Sequence, residues 1–121
     1  MMVVDDLDAL QGKFDGCETI AFADLSTQMI LVTNTNADHR REVLDRLCAE
    51  AALALGTAKK PAFGDTPSSA AFVATKNQLR IFLRAPDEPS DVLCCVCRPD
   101  VDVASFLSDA RPCLEKISSG A

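Results

Sequence analysis

The stretch DHRREVLDRLCAEAALALG, residues 38–56, decides the fold that this chain is predicted to adopt. Its apolar residues recur three or four positions apart, which is the spacing of a buried stripe on an α-helix. The stripe consists of Leu44, Leu47, Cys48, Ala51 and Leu55. Asn36 or Asp38 is suited to cap the start of this helix, and Gly56 is suited to end it. A helix with one apolar face is expected to pack on a sheet.

The opposite side of the helix changes character halfway along. In the first half, Arg41 and Asp45 lie one turn apart with opposite charges, as do Arg46 and Glu50, and such pairs suit a wet surface. In the second half the outward positions are small or apolar, which lets another backbone approach closely. These positions are Ala49, Ala52, Leu53 and Ala54. A monomer would not need such a flank, so we expect another chain to pack there.

A short helix and a hairpin are predicted before the central helix. Residues 3–14 carry apolar side chains at helical spacing, and residues 17–34 contain two apolar runs. The runs are broken by Asp24, Ser26 and Thr27, which favour turns. We therefore interpret Asp24 as a residue that stabilises its own hairpin turn.

Three strands are predicted after the central helix. The runs at residues 68–75, 79–85 and 91–97 are rich in β-forming residues and are separated by turn residues. In the second run apolar residues alternate with Arg80, Phe82 and Arg84, which predicts one buried face and one partly wet face. The third run does not alternate, which predicts a central strand that is covered on both faces.

Pro99 and Asp100 are predicted to open a last amphipathic helix, whose apolar face begins with Val103, and Pro112 predicts a kink or restart near Ala110. The predicted order is α-β-β-α-β-β-β-α, an α+β fold. The 121 residues are enough for one domain, residues 1–121. We expect frayed ends at residues 1–2 and 118–121 and a mobile loop at residues 57–68.

Composition excludes several functions. A net charge of −6 and the absence of Trp and Tyr argue against binding to nucleic acid or to an anionic membrane surface. The N-terminus does not have the pattern of a signal peptide, and no apolar run is long enough to span a membrane. We therefore expect a cytoplasmic protein with reduced cysteines.

No catalytic, cofactor-binding or metal-binding residue is predicted. His39 is the only histidine, and it lies beside Arg40 and Arg41 without an orienting carboxylate, so we interpret it as a surface residue. In a strand Cys95 and Cys97 share one face and Cys94 points to the other, so the three cannot converge on one metal. Buried thiols that pack as small apolar side chains are the favoured interpretation.

The run at residues 68–75 contains no charge and no proline, although the order of elements makes it a candidate sheet edge. Such edges invite pairing with another strand. Antiparallel pairing of two copies would bring their central helices side by side. The predicted dimer interface is Leu47, Cys48, Ala49, Ala51, Ala52, Leu55, Ala71, Phe72, Val73 and Ala74. The predicted partner-binding residues are Arg40, Arg41, Arg46 and Leu53.

The chain resembles the roadblock family, the relatives of dynein light chain. The resemblance lies in the order of elements, in Phe14-Asp15-Gly16 before the apolar strand at residues 19–25, and in Pro86-Asp87 before residues 93–97. It implies a profilin-like five-stranded antiparallel sheet of order 2-1-5-4-3 and a homodimer joined through third strands and central helices. Family members are docking platforms, and some bacterial ones bind a small Ras-like GTPase and promote the hydrolysis of its bound GTP. The nucleotide would belong to the partner, because this chain has no phosphate-binding loop.

Two other functions remain open. The implied strand order places Cys17 near Cys97, which allows a thiol-based redox or metal sensor built on Cys17, Cys95 and Cys97. A small-molecule sensor is the other alternative, because sheets of this size can hold a ligand under a helix. The sequence names no such ligand.

Overall fold

The structure is a computed structural model that describes residues 2–56 and 68–119. The elements in chain order are α1 (Val3–Gly12), β1 (Cys17–Asp24), β2 (Met29–Thr33), α2 (Arg41–Leu55), β3 (Ala70–Ala74), β4 (Leu79–Arg84), β5 (Asp91–Cys97) and α3 (Val103–Ser118). This is the predicted α+β order. Almost all of the loop predicted at residues 57–68 lies outside the described residues, as do residues 1, 120 and 121 of the predicted frayed ends.

The strands form one antiparallel sheet of order β2-β1-β5-β4-β3, which confirms the order implied by the resemblance. β5 lies in the middle, with Cys94 opposite Ala21 of β1 and opposite Phe82 of β4. Residues 92–95 are fully buried, as expected for a run that does not alternate. The central position of β5 is therefore confirmed.

Helices cover both faces of this sheet. α1 and α3 enclose one core, in which Ile81, Leu93 and Phe106 are fully buried. α2 encloses the other core, in which Leu55, Phe82 and Cys94 are fully buried. Packing of apolar side chains on both faces makes the three-layer arrangement stable.

The hairpin between β1 and β2 turns on Asp24, as predicted. Asp24 Oδ1 accepts hydrogen bonds from the Ser26 backbone N–H at 2.9 Å and from the Ser26 hydroxyl at 2.6 Å. These bonds hold the pKa of Asp24 below its usual value. Gln28, with φ of 54°, completes the turn in the left-handed region.

The helix ends differ in part from the predictions. α2 begins at Arg41 with Arg40 as its N-cap residue, so neither Asn36 nor Asp38 caps it. Asp38 instead accepts a hydrogen bond from the Arg40 backbone N–H at 3.0 Å, in a local turn before the helix. The end of α2 is as predicted, because Gly56 follows it with φ of 78°.

α3 begins at Val103 and not at Pro99 or Asp100, because the Asp102 side chain caps it by accepting from the Ser105 N–H. α3 also does not restart at Ala110 but runs as one helix through Pro112 to Ser118. Pro112 and Ser108 are both exposed, so the carbonyl that Pro112 leaves without a helical donor can be hydrated. Ser118 is held by a hydrogen bond of 2.8 Å from its hydroxyl to Asp91 Oδ2. None of the helices among the described residues has both the length and the apolarity needed to cross a membrane.

Arg84 joins four segments of the chain. Its guanidinium donates to the carbonyls of Leu55 and Gly56 at the end of α2, of Ser68 before β3, and of Pro89 in the turn before β5. A cation at a helix C-terminus is favoured, because the free carbonyls there carry partial negative charge. Arg84 therefore fixes the end of α2 against the start of β3.

We predict that Arg84→Met lowers the free energy of unfolding by about 2 kcal/mol, because half-buried carbonyls lose a charged donor. Chemical denaturation followed by circular dichroism measures this change. Arg111→Met is the matched control, since Arg111 is exposed and has no ion pair among the described residues; its change should stay under about 0.5 kcal/mol. Equal effects of the two substitutions would contradict the role given to Arg84.

Candidate interaction surface

The outer side of β3 carries backbone groups that have no strand partner among the described residues. The Thr75 N–H donates to the Gln78 carbonyl at 2.8 Å, and the Arg84 N–H donates to the Ser69 carbonyl at 2.9 Å. In an antiparallel ladder the direction of the backbone groups alternates, so residues 70, 72 and 74 direct their N–H and C=O away from β4. Within residues 2–56 and 68–119, no strand pairs with that side.

The side chains of β3 are divided between the two faces of the sheet. Ala71 and Val73 pack beneath α2, which explains why this short strand lies next to the helix. Phe72 points to the other face, and 49% of its surface is exposed. The five residues of β3 include no charge, so nothing in the strand opposes pairing.

The outward flank of α2 is apolar at its C-terminal half. Leu53 is 81% exposed, which is the highest value among the large apolar side chains of the described residues. Ala49, one turn earlier, is also exposed. Because α2 packs against β3, this flank and the outer edge of β3 belong to one surface, which we call the α2–β3 surface.

The predicted dimer interface divides into two groups in the structure. Leu47, Cys48, Ala51 and Leu55 lie in the core under α2, with 7% or less of their surface exposed. They can support an interface but have almost no surface left for contact with another chain. The other six residues are half-buried or exposed: Ala49, Ala52, Ala71, Phe72, Val73 and Ala74. The interface itself remains a prediction, now narrowed to these six residues and Leu53.

The predicted partner-binding arginines differ in how far their charge is already satisfied. Arg40 donates to both carboxylate oxygens of Asp38, at 2.8 to 3.1 Å. Its guanidinium holds the pKa of Asp38 well below the usual range, at about 2. Arg41 lies 3.7 Å from Asp45 in an exposed pair. Arg46 has no ion pair with any described residue, so it is the arginine most available to a partner.

Glu50 does not pair with Arg46 as the helical spacing indicated. It pairs with Arg80 of β4, whose Nη1 lies 2.6 Å from Glu50 Oε2. Sequence reasoning missed this contact because it joins residues 30 positions apart on different elements. The available signal was Arg80 itself, since an arginine in an apolar strand needs a partner.

A cavity of about 290 Å³ lies between the first half of α2 and the sheet. Its charged lining residues are Glu18, Asp38, Glu50, Arg40, Arg46 and Arg80. Glu50 Oε1 is buried beside it without a hydrogen-bond partner among the described residues. Small-molecule sites are mostly apolar with a few polar groups, so this lining does not favour the small-molecule sensor.

The cysteines are distributed as the strand geometry predicts. Cys95 and Cys97 lie in the core under α1 and α3, and Cys94 lies in the core under α2. Cys17 and Cys97 are neighbours, with their Sγ atoms 3.5 Å apart. Within the described residues, no three His, Cys, Asp or Glu side chains are grouped so that they could hold a metal ion. Desolvation raises the pKa of Cys94 and Cys95, which disfavours thiolate ligands there.

His39 lies on the surface beside the end of β2. Its Nε2 donates to the Thr35 carbonyl at 3.1 Å, so Nδ1 is free to accept from the Thr33 hydroxyl at 3.3 Å. No carboxylate orients the ring among the contacts of the described residues. This geometry favours a local role in positioning the segment before α2.

Comparison with solved structures supports the resemblance. A Roadblock/LC7 domain from Streptomyces avermitilis is 13% identical and has a TM-score of 0.75, over 94% of this chain and 92% of that chain. Myxococcus xanthus MglB is 13% identical with a TM-score of 0.73, over 98% and 96%. LokiProfilin1, solved in complex with rabbit actin, is 12% identical with a TM-score of 0.63, over 98% and 96%. These likenesses show that the chain has the roadblock fold, which is related to that of profilin.

Neither protein-family models nor curated protein sequences give a match to this chain. With identities this low, the solved structures establish the fold and leave the function to be argued from the residues.

We predict that thiol titration of the native protein detects one accessible cysteine. Five of the six cysteines are buried and only Cys113 is half-buried. Reaction with a bulky aromatic disulfide reagent should therefore label Cys113 first, and the other thiols should react with this reagent much more slowly unless the protein is denatured. Cys113→Ala serves as the control and should remove the early reaction. Rapid reaction of several thiols in the native state would contradict the burial described above.

Proposed function

We propose that this protein is a non-enzymatic interaction module that works as a homodimer. Two copies would pair antiparallel along β3 and place their α2 helices side by side. The joined α2 helices would then form a platform for a protein partner. The single observation that carries this proposal is the uncharged outer edge of β3, which pairs with no described strand, next to the apolar flank of α2.

Pairing would satisfy both features of the α2–β3 surface at once. The outward N–H and C=O groups of residues 70, 72 and 74 would gain hydrogen-bond partners, extending the sheet across the two subunits. Leu53 and Phe72 would lose exposed apolar area, which is the main driving force for association. An isologous pair of this kind needs only one patch that is complementary to itself.

The partner that we propose is a small Ras-like GTPase. The roadblock resemblance and the structural likeness to MglB support this choice. Arg46 supports an electrostatic contact, because its charge is not satisfied within the described residues and a guanidinium can hold a carboxylate with two hydrogen bonds. The protein would act by positioning groups of the GTPase, since we assign no catalytic residue to this chain.

Light scattering after gel filtration is expected to give a mass of twice the chain mass of 12.9 kDa. Phe72→Lys should shift the protein to monomers, because Phe72 is the middle residue of β3. In a symmetric antiparallel pair, two lysines would face each other across the axis, and like charges at such positions repel.

Leu31→Lys is the matched control for this substitution. Leu31 lies in β2 at the opposite edge of the sheet, and it is 52% exposed compared with 49% for Phe72. It should leave the dimer intact. A monomeric wild-type protein at about 100 µM, well above the Kd of a typical homodimer, would exclude the proposed function.

Single-turnover GTP hydrolysis by small Ras-like GTPases of the same organism tests the partner. The proposal expects a faster rate for one of them in the presence of this protein. Arg46→Glu should weaken binding about tenfold or more, as loss of a central arginine does in other interfaces. Arg111→Glu should have little effect, because Arg111 is exposed on α3, away from the α2–β3 surface. No binding to any of these GTPases would rule out this partner while leaving the dimer to be judged by its mass.

A further inference from the structure

Cys17 and Cys97 form a pair that the proposed function does not use. Cys17 is the first residue of β1 and Cys97 is the last residue of β5, and the two are register partners. Their Sγ atoms share a hydrogen bond at 3.5 Å, and each residue has 1% of its surface exposed. The described residues contain no other hydrogen bond between two sulfur atoms.

The backbone at this pair has the spacing of a cross-strand disulfide. The Arg98 N–H donates to the Gly16 carbonyl at 2.7 Å, so the next pair, Cys17 with Cys97, is a non-hydrogen-bonded one. Consistent with this, the Cys17 N–H donates to the Phe14 carbonyl, and the Cys17 carbonyl accepts from the Gln11 side-chain amide. Cα atoms of such a pair lie about 4.5 Å apart, within the range of about 4.4 to 6.8 Å that disulfides span. A bond could therefore form by side-chain rotation without moving the strands.

The environment of the two thiols makes them unequal. The hydrogen bond between them and burial together raise the pKa of Cys17, whereas the same hydrogen bond lowers the pKa of Cys97. In the structure the Cys97 S–H donates to Cys17 Sγ. Cys97 is the thiol that ionises first, and the hydrogen bond then reverses, so that the Cys17 S–H donates to the Cys97 thiolate. An attacking thiolate next to a second thiol is the arrangement found in cysteines that resolve to a disulfide.

We propose that Cys17 and Cys97 are a redox modification site that hydrogen peroxide converts to an intramolecular disulfide. The Cys97 thiolate attacks one peroxide oxygen, the O–O bond breaks, and the departing hydroxide takes a proton to become water. The resulting sulfenic acid on Cys97 is then attacked by the sulfur of Cys17. The S–O bond breaks as the S–S bond forms, and the second hydroxide leaves as water with the Cys17 proton. Two thiols and one peroxide thus give one disulfide and two waters.

A small oxidant can reach this site because the pair lies at the end of the ladder. The register between β1 and β5 shifts between Cys17 and Thr19, which separates the pair from the regular part of the sheet. Beyond the pair, the Arg98 to Gly16 hydrogen bond is the last link between these strands. Opening of this short end is a local event that does not require unfolding of the core.

Cys95 is the natural comparison, because it is buried in the same core two positions before Cys97. Its register partners are Ile20 and Ile81, so no thiol lies opposite it on either neighbouring strand. Cys95 is therefore expected to have no resolving partner. The proposed chemistry is specific to one pair among six cysteines.

Intact mass after treatment of the folded protein with hydrogen peroxide, followed by alkylation of free thiols in denaturant, tests the proposal. The wild type should lose two hydrogen atoms, about 2 Da, before alkylation, and should then take up two fewer alkyl groups than the untreated protein. Fragmentation should join Cys17 to Cys97. The oxidised form should melt higher by at least about 5 °C, because the link closes a long loop of the unfolded chain. A dithiol reductant should reverse both changes.

Cys17→Ala and Cys97→Ala should each abolish the loss of two hydrogens, whereas Cys95→Ala should retain it. The wild-type fragment map keeps the test decisive even if one variant does not fold. A wild type that gains oxygen without forming the Cys17 to Cys97 link would overturn the proposal. Retention of the disulfide in Cys17→Ala would also overturn it, because another pair would then be responsible.

Discussion

The contact between α2 and the face of β4 that it covers is the interaction on which the rest of this structure depends. Phe82 is fully buried beneath the helix, and on either side of it Arg80 and Arg84 reach α2 through Glu50 and the last carbonyls. An apolar contact between two charged ones fixes both the position and the direction of the helix. Because β3 is the next strand after β4, this contact also determines which sheet edge lies beside α2.

The two edges of the sheet differ in a way that decides the candidate surface. Edge strands in soluble proteins are usually protected by charge, proline or a bulge. β2 has a register irregularity opposite residues 22 and 23 of β1, and it interrupts pairing there. β3 has none of these devices, and Phe72 remains half exposed on it. The lack of protection on β3 is explained if a second chain covers this edge, and for this reason the dimer is central to the proposed function.

Apolar periodicity in the sequence predicted the order of the elements, and the lack of alternation in residues 92–97 predicted the central place of β5. Both could be predicted because they are local signals. The sequence could not predict that Arg80 and Arg84 hold α2, since their partners lie far along the chain. The interface prediction included Leu47 and Leu55, which the structure buries in the core, because a helical wheel does not show how wide the covered stripe is. The pairing of Cys17 with Cys97 depended on the strand order, which only the resemblance supplied.

Amide hydrogen exchange along β3 tests the central claim most directly. The Val73 N–H points to β4 and should be protected in either state, whereas the amides of Ala70, Phe72 and Ala74 point outward. If two chains pair along this edge, the three outward amides should exchange slowly, and their protection should fall on dilution. Fast exchange of all three at high protein concentration, with Val73 still protected, would contradict the account.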